Sequence, residues 1–314
     1  MSYTLPLPGR ADRLDIVDPN STAVQRALRR DGLAGYEAVT MATLLTLFEQ
    51  QAPGFSFYDV GANMGLYSLL CAALFDVQTV HAFEPTPSTA ATARRIVRAN
   101  NANVAVFECA LGDENQMAEL HLSDASDSSN SLVRGFQASH SSVSVPVRRL
   151  DLHVAETKVF PSVVKVDVET HEAAVLKGAH RTIADGRPHL VVEVLNRGGR
   201  DHGVEITEVM QSHGYTYYRL DEAPSWQPEV VVSGTLSGPH RDWLLAPEPL
   251  PDSFLQMHRR WAEHLAACGP ERNSRVPMAR TAVAAFRRGG VAEVALAAQR
   301  YRAARRRQGD QRSM

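Results

Sequence analysis

Hydrophobic positions switch period along this chain, alternating between the spacing of strands and that of helices. Residues 38–51 place Met41, Leu44, Leu45 and Phe48 on one helical face. Residues 55–60, Phe-Ser-Phe-Tyr-Asp-Val, suit a buried strand, and Leu66, Leu69, Leu70, Ala73 and Leu74 then return to helical spacing. The exchange repeats: a strand over 77–84, a helix through Ala93, Ile96 and Val97 capped by Ser88, and a strand over 103–110. Further on come an alternating strand over 163–169, a helix through Ala173, Val175, Leu176 and Ala179, a strand over 189–194 and a helix over 205–213. Strands over 215–220 and 242–246 close the series. Strands alternating with helices predict an α/β fold with a doubly wound, mostly parallel sheet. Residues 1–20, with Pro6, Pro8 and Asp18-Pro19, read as an irregular arm leading into a helix toward Arg30. Residues 113–150 read as an excursion with one or two edge strands and a polar loop, a candidate lid.

The turn between the first strand and its helix carries chemistry. Gly61 and Gly65 permit a tight turn in which backbone N–H groups approach a ligand. A dinucleotide site runs G-x-G-x-x-G off the strand, whereas this turn is D-x-G-x-N-x-G, with Asp59 two positions before the first glycine. A carboxylate there repels a pyrophosphate and favours a cation such as a sulfonium or an amino acid's ammonium. S-adenosylmethionine is the ligand this suggests. Glu84, 23 positions after Gly61, falls at the end of the second strand, where a carboxylate accepts both hydroxyls of a ribose.

The second informative stretch is 163–172, where an alternating strand delivers Asp167 and Glu169 to its C-terminal end, followed by His171 and Glu172. Ligands bind at this edge of an open α/β sheet, so the group is a candidate acid/base centre. Glu172, on the first turn of the next helix, complements the helix dipole and reads as structural. A divalent metal such as magnesium, held by Asp167, Glu169 and Glu193, is an alternative way to acidify a substrate hydroxyl.

Composition narrows the setting. The 314 residues are 44% apolar and 22% charged, which excludes a disordered chain, and no apolar run reaches the ~18 residues of a membrane span. Cys71, Cys109 and Cys268 offer neither a disulfide framework nor zinc spacing. With no hydrophobic leader in the first twenty residues, a cytoplasmic setting is expected. From Arg259 onward thirteen arginines face four acids, a net +9 that leaves residues 1–258 at −11. The division expected is an arm and helical cap over 1–52, a catalytic domain over 53–248, and a basic Arg/Ala-rich helical extension over 249–314.

Four segments in order, Asp59 to Ser68, Ala82-Phe83-Glu84-Pro85, Ala110-Leu111-Gly112-Asp113, and Lys165 to Glu172 with Val175-Leu176-Lys177-Gly178-Ala179, resemble the FkbM-type family of S-adenosylmethionine-dependent (class I) methyltransferases. The resemblance spans roughly residues 37–220. It departs at Thr170, where the family usually has glycine between the glutamate and the histidine. It implies a Rossmann-like, seven-stranded methyltransferase sheet and methyl transfer to a hydroxyl of a sugar, glycan or natural-product scaffold. It also implies cofactor contacts from Asp59, Gly61, Asn63, Gly65, Tyr67, Ser68, Glu84, Pro85, Ala110, Asp167 and, from the N-terminal side, Glu37. His171 is the expected base, with Glu169 orienting it or the acceptor and Asp167 nearer the methionine moiety. Asn130, Ser131 and Glu193 are the candidate acceptor contacts. The competing reading is an RNA methyltransferase or RNA-binding protein using Arg300, Arg302, Arg305, Arg306 and Arg307; the acidic body and a tail without aromatic interleaving argue against it. An NAD-dependent sugar enzyme is disfavoured by Asp59 and the missing G-x-G-x-x-G. No membrane contact is expected, and the helical extensions suggest a homo-oligomer.

Overall fold

In the computed structural model the chain opens with an antiparallel pair, β1 (Ser2–Pro6) and β2 (Arg13–Val17), in place of the expected irregular arm. Leu5 and Leu7, then Leu14 and Ile16, are two residues apart and buried, so the alternation outweighs the two prolines, which fall at or beyond the strand end. The structure describes residues 2–123, 130–133, 141–197, 200–221, 224–234 and 241–270. Helix α1 (Ala23–Asp31) starts at a capping box in which Thr22 and Gln25 exchange side-chain to backbone hydrogen bonds. Helix α2 (Ala38–Gln50) follows, buried on nearly every side rather than on one face. Its threonines tolerate this because Thr43 and Thr46 return their hydroxyls to Val39 O and Ala42 O.

The central sheet begins with β3 (Phe55–Val60), α3 (Leu66–Leu74), β4 (Val77–Phe83), α4 (Pro87–Ala99) and β5 (Val104–Phe107). The third strand thus stops three residues short of the expected 110. Beyond it, β6 (Ala110–Leu111), β7 (Gln116–Leu122) and β8 (Ser141–Arg148) form their own three-stranded sheet, a correction to the expected edge strands. The hydrophobic positions of this excursion, Leu120, Val145 and Val147, alternate inward, so it buries its own small face instead of extending the large sheet. The candidate lid loops at 124–129 and 134–140 lie outside the described residues.

The second half of the sheet comes from α5 (Leu150–Thr157), β9 (Val163–Val166), α6 (Glu172–Gly178), α7 (His180–Gly186) and β10 (His189–Glu193). A short pair, β11 (Asn196–Arg197) and β12 (Arg200–Asp201), precedes α8 (His202–Met210), β13 (Thr216–Leu220) and β14 (Asp242–Ala246). The seven strands lie in the order β13-β14-β10-β9-β3-β4-β5, and β14 alone among them runs against the rest. This is the doubly wound Rossmann-like sheet expected. Side chains alternate between two apolar layers: Phe57, Val163 and Val191 face α2, α3 and the N-terminal pair, while Tyr58, Val164 and Val192 face α5 to α8.

Helix α9 (Asp252–Ala266) packs on α2, with Arg260 and the Trp261 indole both bonded to Glu49. Met1–Pro270 is therefore one compact unit, arm and α9 included. The helices expected over 277–288 and 291–307, with the arginine-rich tail, lie outside the described residues. Among the described residues no helix is long and apolar enough to cross a membrane.

Candidate active site

The sheet winds outward in both directions from β3 and β9, so their C-terminal ends open a crevice at the switch point. Gly61 turns the chain there with φ +80, and a Cβ on it would sit 1.8 Å from the Asp167 carbonyl oxygen. Only glycine lets the two strand ends meet so closely. The Gly61 and Ala62 amides both donate to Phe83 O, and Asn63, left-handed at φ +48, turns its amide onto Glu84 Oε2 at 3.0 Å. Thr86 N donates to Glu84 Oε1 at 2.8 Å. Two backbone amides thus fix the direction of a buried carboxylate at the end of β4.

These groups wall a cleft of about 880 Å3, mouth included. Gly61, Asn63, Tyr67, Glu84, Pro85 and Ala110 line it, as do Asn130, Ser131, Asp167, Glu169 and His171. Glu37 reaches it through Tyr67, whose hydroxyl donates to Glu37 Oε2 at 2.5 Å. The structure does not bring every expected residue to the wall. Asp59 is fully buried behind it, accepting from the Ser68 amide and hydroxyl, so this pair anchors α3 to β3. Gly65 caps α3 at φ +81. Glu193 stands one strand further out than Asp167, cross-strand from Asp242.

Lys165 escaped the sequence reading. It lies two residues before Asp167 in the alternating strand, hence on the same face, and opposite Asp59 in register. Its ammonium is buried, 2.7 Å from Asp167 Oδ2 and 5.0 Å above the Tyr67 ring. Burial opposes that charge, but Asp167, Glu37, Asp59 and Asp242 hold it above the ordinary lysine range. Burial also works against the Asp167 carboxylate, yet Lys165 outweighs it and keeps the group below its ordinary range. Around this pair the carboxyls shift the other way. Burial, then Glu37, pushes Asp242 up to about 7. Burial and the Asp167 charge lift Glu193 well above its usual range, and burial raises Glu37. Tyr36 lines the cleft near the same carboxyls. Asp242 and Tyr36 were also missed: the first sits at a strand start 75 residues after Asp167, the second in a short linker between helices.

Residues 59–217 match the family model described as the methyltransferase FkbM domain. The chain belongs to the FkbM methyltransferase family. "Methyltransferase 1" of Beauveria bassiana (strain ARSEF 2860) is 29% identical over 191 residues, covering 54% of this chain and 75% of that protein. Among solved structures, the FkbM methyltransferase of Methylobacillus flagellatus KT aligns with a TM-score of 0.41 at 16% identity. That alignment covers 61% of this chain and 43% of the other, so this chain spans less than half of that protein. The precorrin-6y C5,15-methyltransferase of Geobacter metallireducens GS-15 aligns with a TM-score of 0.37 at 12% identity, over 67% and 86% of the two chains.

In this FkbM methyltransferase the turn after β9 holds Glu169 at φ +54 and Thr170 at φ +78, so the residue standing in place of glycine keeps a glycine-like backbone. His171 follows at the start of α6, and its ring faces Gly112 across the cleft wall. Burial lowers its pKa below the usual 6.5, and the opposing charge that acts on it is Asp113. Asn130 and Ser131 roof the FkbM cleft: Asn130 Nδ2 donates to Thr86 Oγ1 at 3.1 Å, and Ser131 Oγ to Glu169 O at 2.8 Å. Asp167, Glu169 and Glu193 do not converge as metal ligands; among the described residues no group of three or more His, Cys, Asp or Glu side chains could hold a metal ion. Lys165 fills the space beside Asp167 with the protein's own cation.

Proposed function

We propose that this enzyme transfers a methyl group from S-adenosylmethionine to a hydroxyl of a sugar, glycan or natural-product scaffold. The observation that carries the reading is the cleft itself: an amide-pinned carboxylate, Glu84, at one end and a bed of carboxyls and phenols around Lys165 at the other. Glu84 suits the paired hydroxyls of a ribose, and the turn from Gly61 to Asn63 suits close backbone approach to the donor. S-adenosylmethionine supplies an electrophilic methyl group on a sulfonium. The protein's share is to orient the acceptor oxygen and keep water out. Tyr36, Asp167 and Glu169 line the cleft, so a hydroxyl-rich acceptor meets both hydrogen-bond donors and acceptors there.

We assign proton removal to His171. It faces the cleft, and burial keeps its ring neutral, while Asp167 is committed to Lys165. His171→Ala should leave donor affinity near normal and lower turnover by roughly 10²–10⁴-fold. Because folding depresses the histidine pKa, turnover should stay level above pH 6.5 and fall only as pH drops below it. Normal turnover in His171→Ala would end the assignment. Glu84→Ala should weaken donor binding about 30-fold or more, the worth of ~2 kcal/mol for a hydrogen bond to a charged group. Titration calorimetry with S-adenosylmethionine and with NAD checks the donor. Methyl transfer assayed across sugar nucleotides, oligosaccharides and macrolide-type scaffolds, with EDTA or added magnesium, identifies the acceptor. Binding of NAD in preference to S-adenosylmethionine would overturn the reading.

A further inference from the structure

We propose that Glu172 is a positioning residue whose buried carboxylate straps the strained turn 167–171 into the one conformation that presents Glu169 and His171 to the cleft. The inference rests on the functional reading above only for what the turn positions. Two consecutive non-glycine residues, Glu169 at φ +54 and Thr170 at φ +78, occupy the left-handed region. Threonine, β-branched, is ill suited there. Thr170 Oγ1 is also buried without a hydrogen-bond partner, so the side chain gains nothing that offsets its backbone. Such a turn persists only where its surroundings over-determine it.

The surroundings do so from both sides of Glu169. Glu172 Oε1 accepts from Val168 N and from Thr170 N, each at 3.1 Å, tying the amides that flank Glu169. The Glu169 carbonyl is held by the Ser131 hydroxyl, and the start of the turn by Asp167 N donating to Val60 O at 3.0 Å. Glu172 is 1% exposed, on the first turn of α6, too deep to serve the cleft directly. Without it both amides would lose their partner, the Thr170 amide in a buried position, and residues 169 and 170 would relax toward negative φ. The Glu169 and His171 side chains would turn with them.

The test uses the full chain with Glu172→Ala, Thr170→Gly and the double variant, read by amide hydrogen exchange, thermal melting, donor calorimetry and turnover. Glu172→Ala should speed exchange at the Val168 and Thr170 amides at least tenfold and lower turnover about tenfold. Adding Thr170→Gly should restore most of that turnover, because glycine holds a φ near +78 without a strap. Thr170→Gly alone should raise the thermal midpoint by about 2–4 °C. Wild-type exchange at those two amides in Glu172→Ala would overturn the proposal, as would a folded double variant no more active than Glu172→Ala. A lower midpoint for Thr170→Gly would do the same, and that arm decides even if Glu172→Ala does not fold. If the wild type fails to bind S-adenosylmethionine the functional reading falls, while exchange and melting still judge the strap.

Discussion

Replacing Gly61 with alanine is expected to cost on the order of 4–5 kcal/mol of stability and to abolish donor binding. A methyl group there would lie 1.8 Å from Asp167 O and 2.8 Å from Asp167 C, and both are backbone atoms that no rotamer change can move. The positive φ of +80 adds its own strain. Seating the methyl group means parting the ends of β3 and β9, which are joined by Asp167 N donating to Val60 O. At ~2–4 °C per kcal/mol for a chain of this size, the thermal midpoint should fall by roughly 10–15 °C. Gly65→Ala is the control. It has the same kind of φ, +81, but its nearest neighbours are 4.0 Å away, so its cost should stay near 1–2 kcal/mol. Equal melting of the two variants would mean the close approach to Asp167 has no energetic weight.

Lys165→Met should destabilise the protein by about 3–5 kcal/mol at pH 8 and by clearly less at pH 5. The substitution keeps the packed volume and removes the cation beside Asp167. In the native protein the Asp167 carboxyl is depressed, so its contribution is present above 3.8 and lost only as pH falls through its lower folded value. Lys165, raised by its partners, contributes fully at all pH below 10.5. Neither therefore titrates between pH 5 and 8. Without the ammonium, Asp167 stands half-buried beside the like charges of Glu37, Glu193 and Asp242, and its folded pKa rises above the unfolded one. The folded state then holds the proton more tightly, and stability falls as pH rises. Urea unfolding at both pH values checks this, and a loss of the same size at pH 5 and pH 8 would mean that Lys165 acts through packing alone.

The pattern of apolar positions determined most of the sheet, because a strand buried between two helix layers is apolar at most positions facing them. Phe55–Val60 and Val163–Val166 carry that record, as does the glycine turn between Val60 and Leu66, and the cleft residues Gly61, Asn63, Glu84, Asp167 and His171 followed from it. What local pattern does not carry is partnership between distant segments. Asp59 reads as a ligand contact by position, and only the packed structure shows it buried behind the cleft with Oδ2 bonded to Ser68. Lys165 reads as a lone polar residue in a strand until α2, α3 and β14 bring Glu37, Tyr67 and Asp242 around it. The prolines of the N-terminal arm hid a strand pair whose evidence was the spacing of Leu5, Leu7, Leu14 and Ile16. The sequence by itself determined that a strand, a glycine turn and an acidic strand end would wall one cleft, since those depend on residues a few positions apart. The tertiary structure decided which charges face one another in that cleft, since burial and Coulomb interaction depend on distance in space and not along the chain.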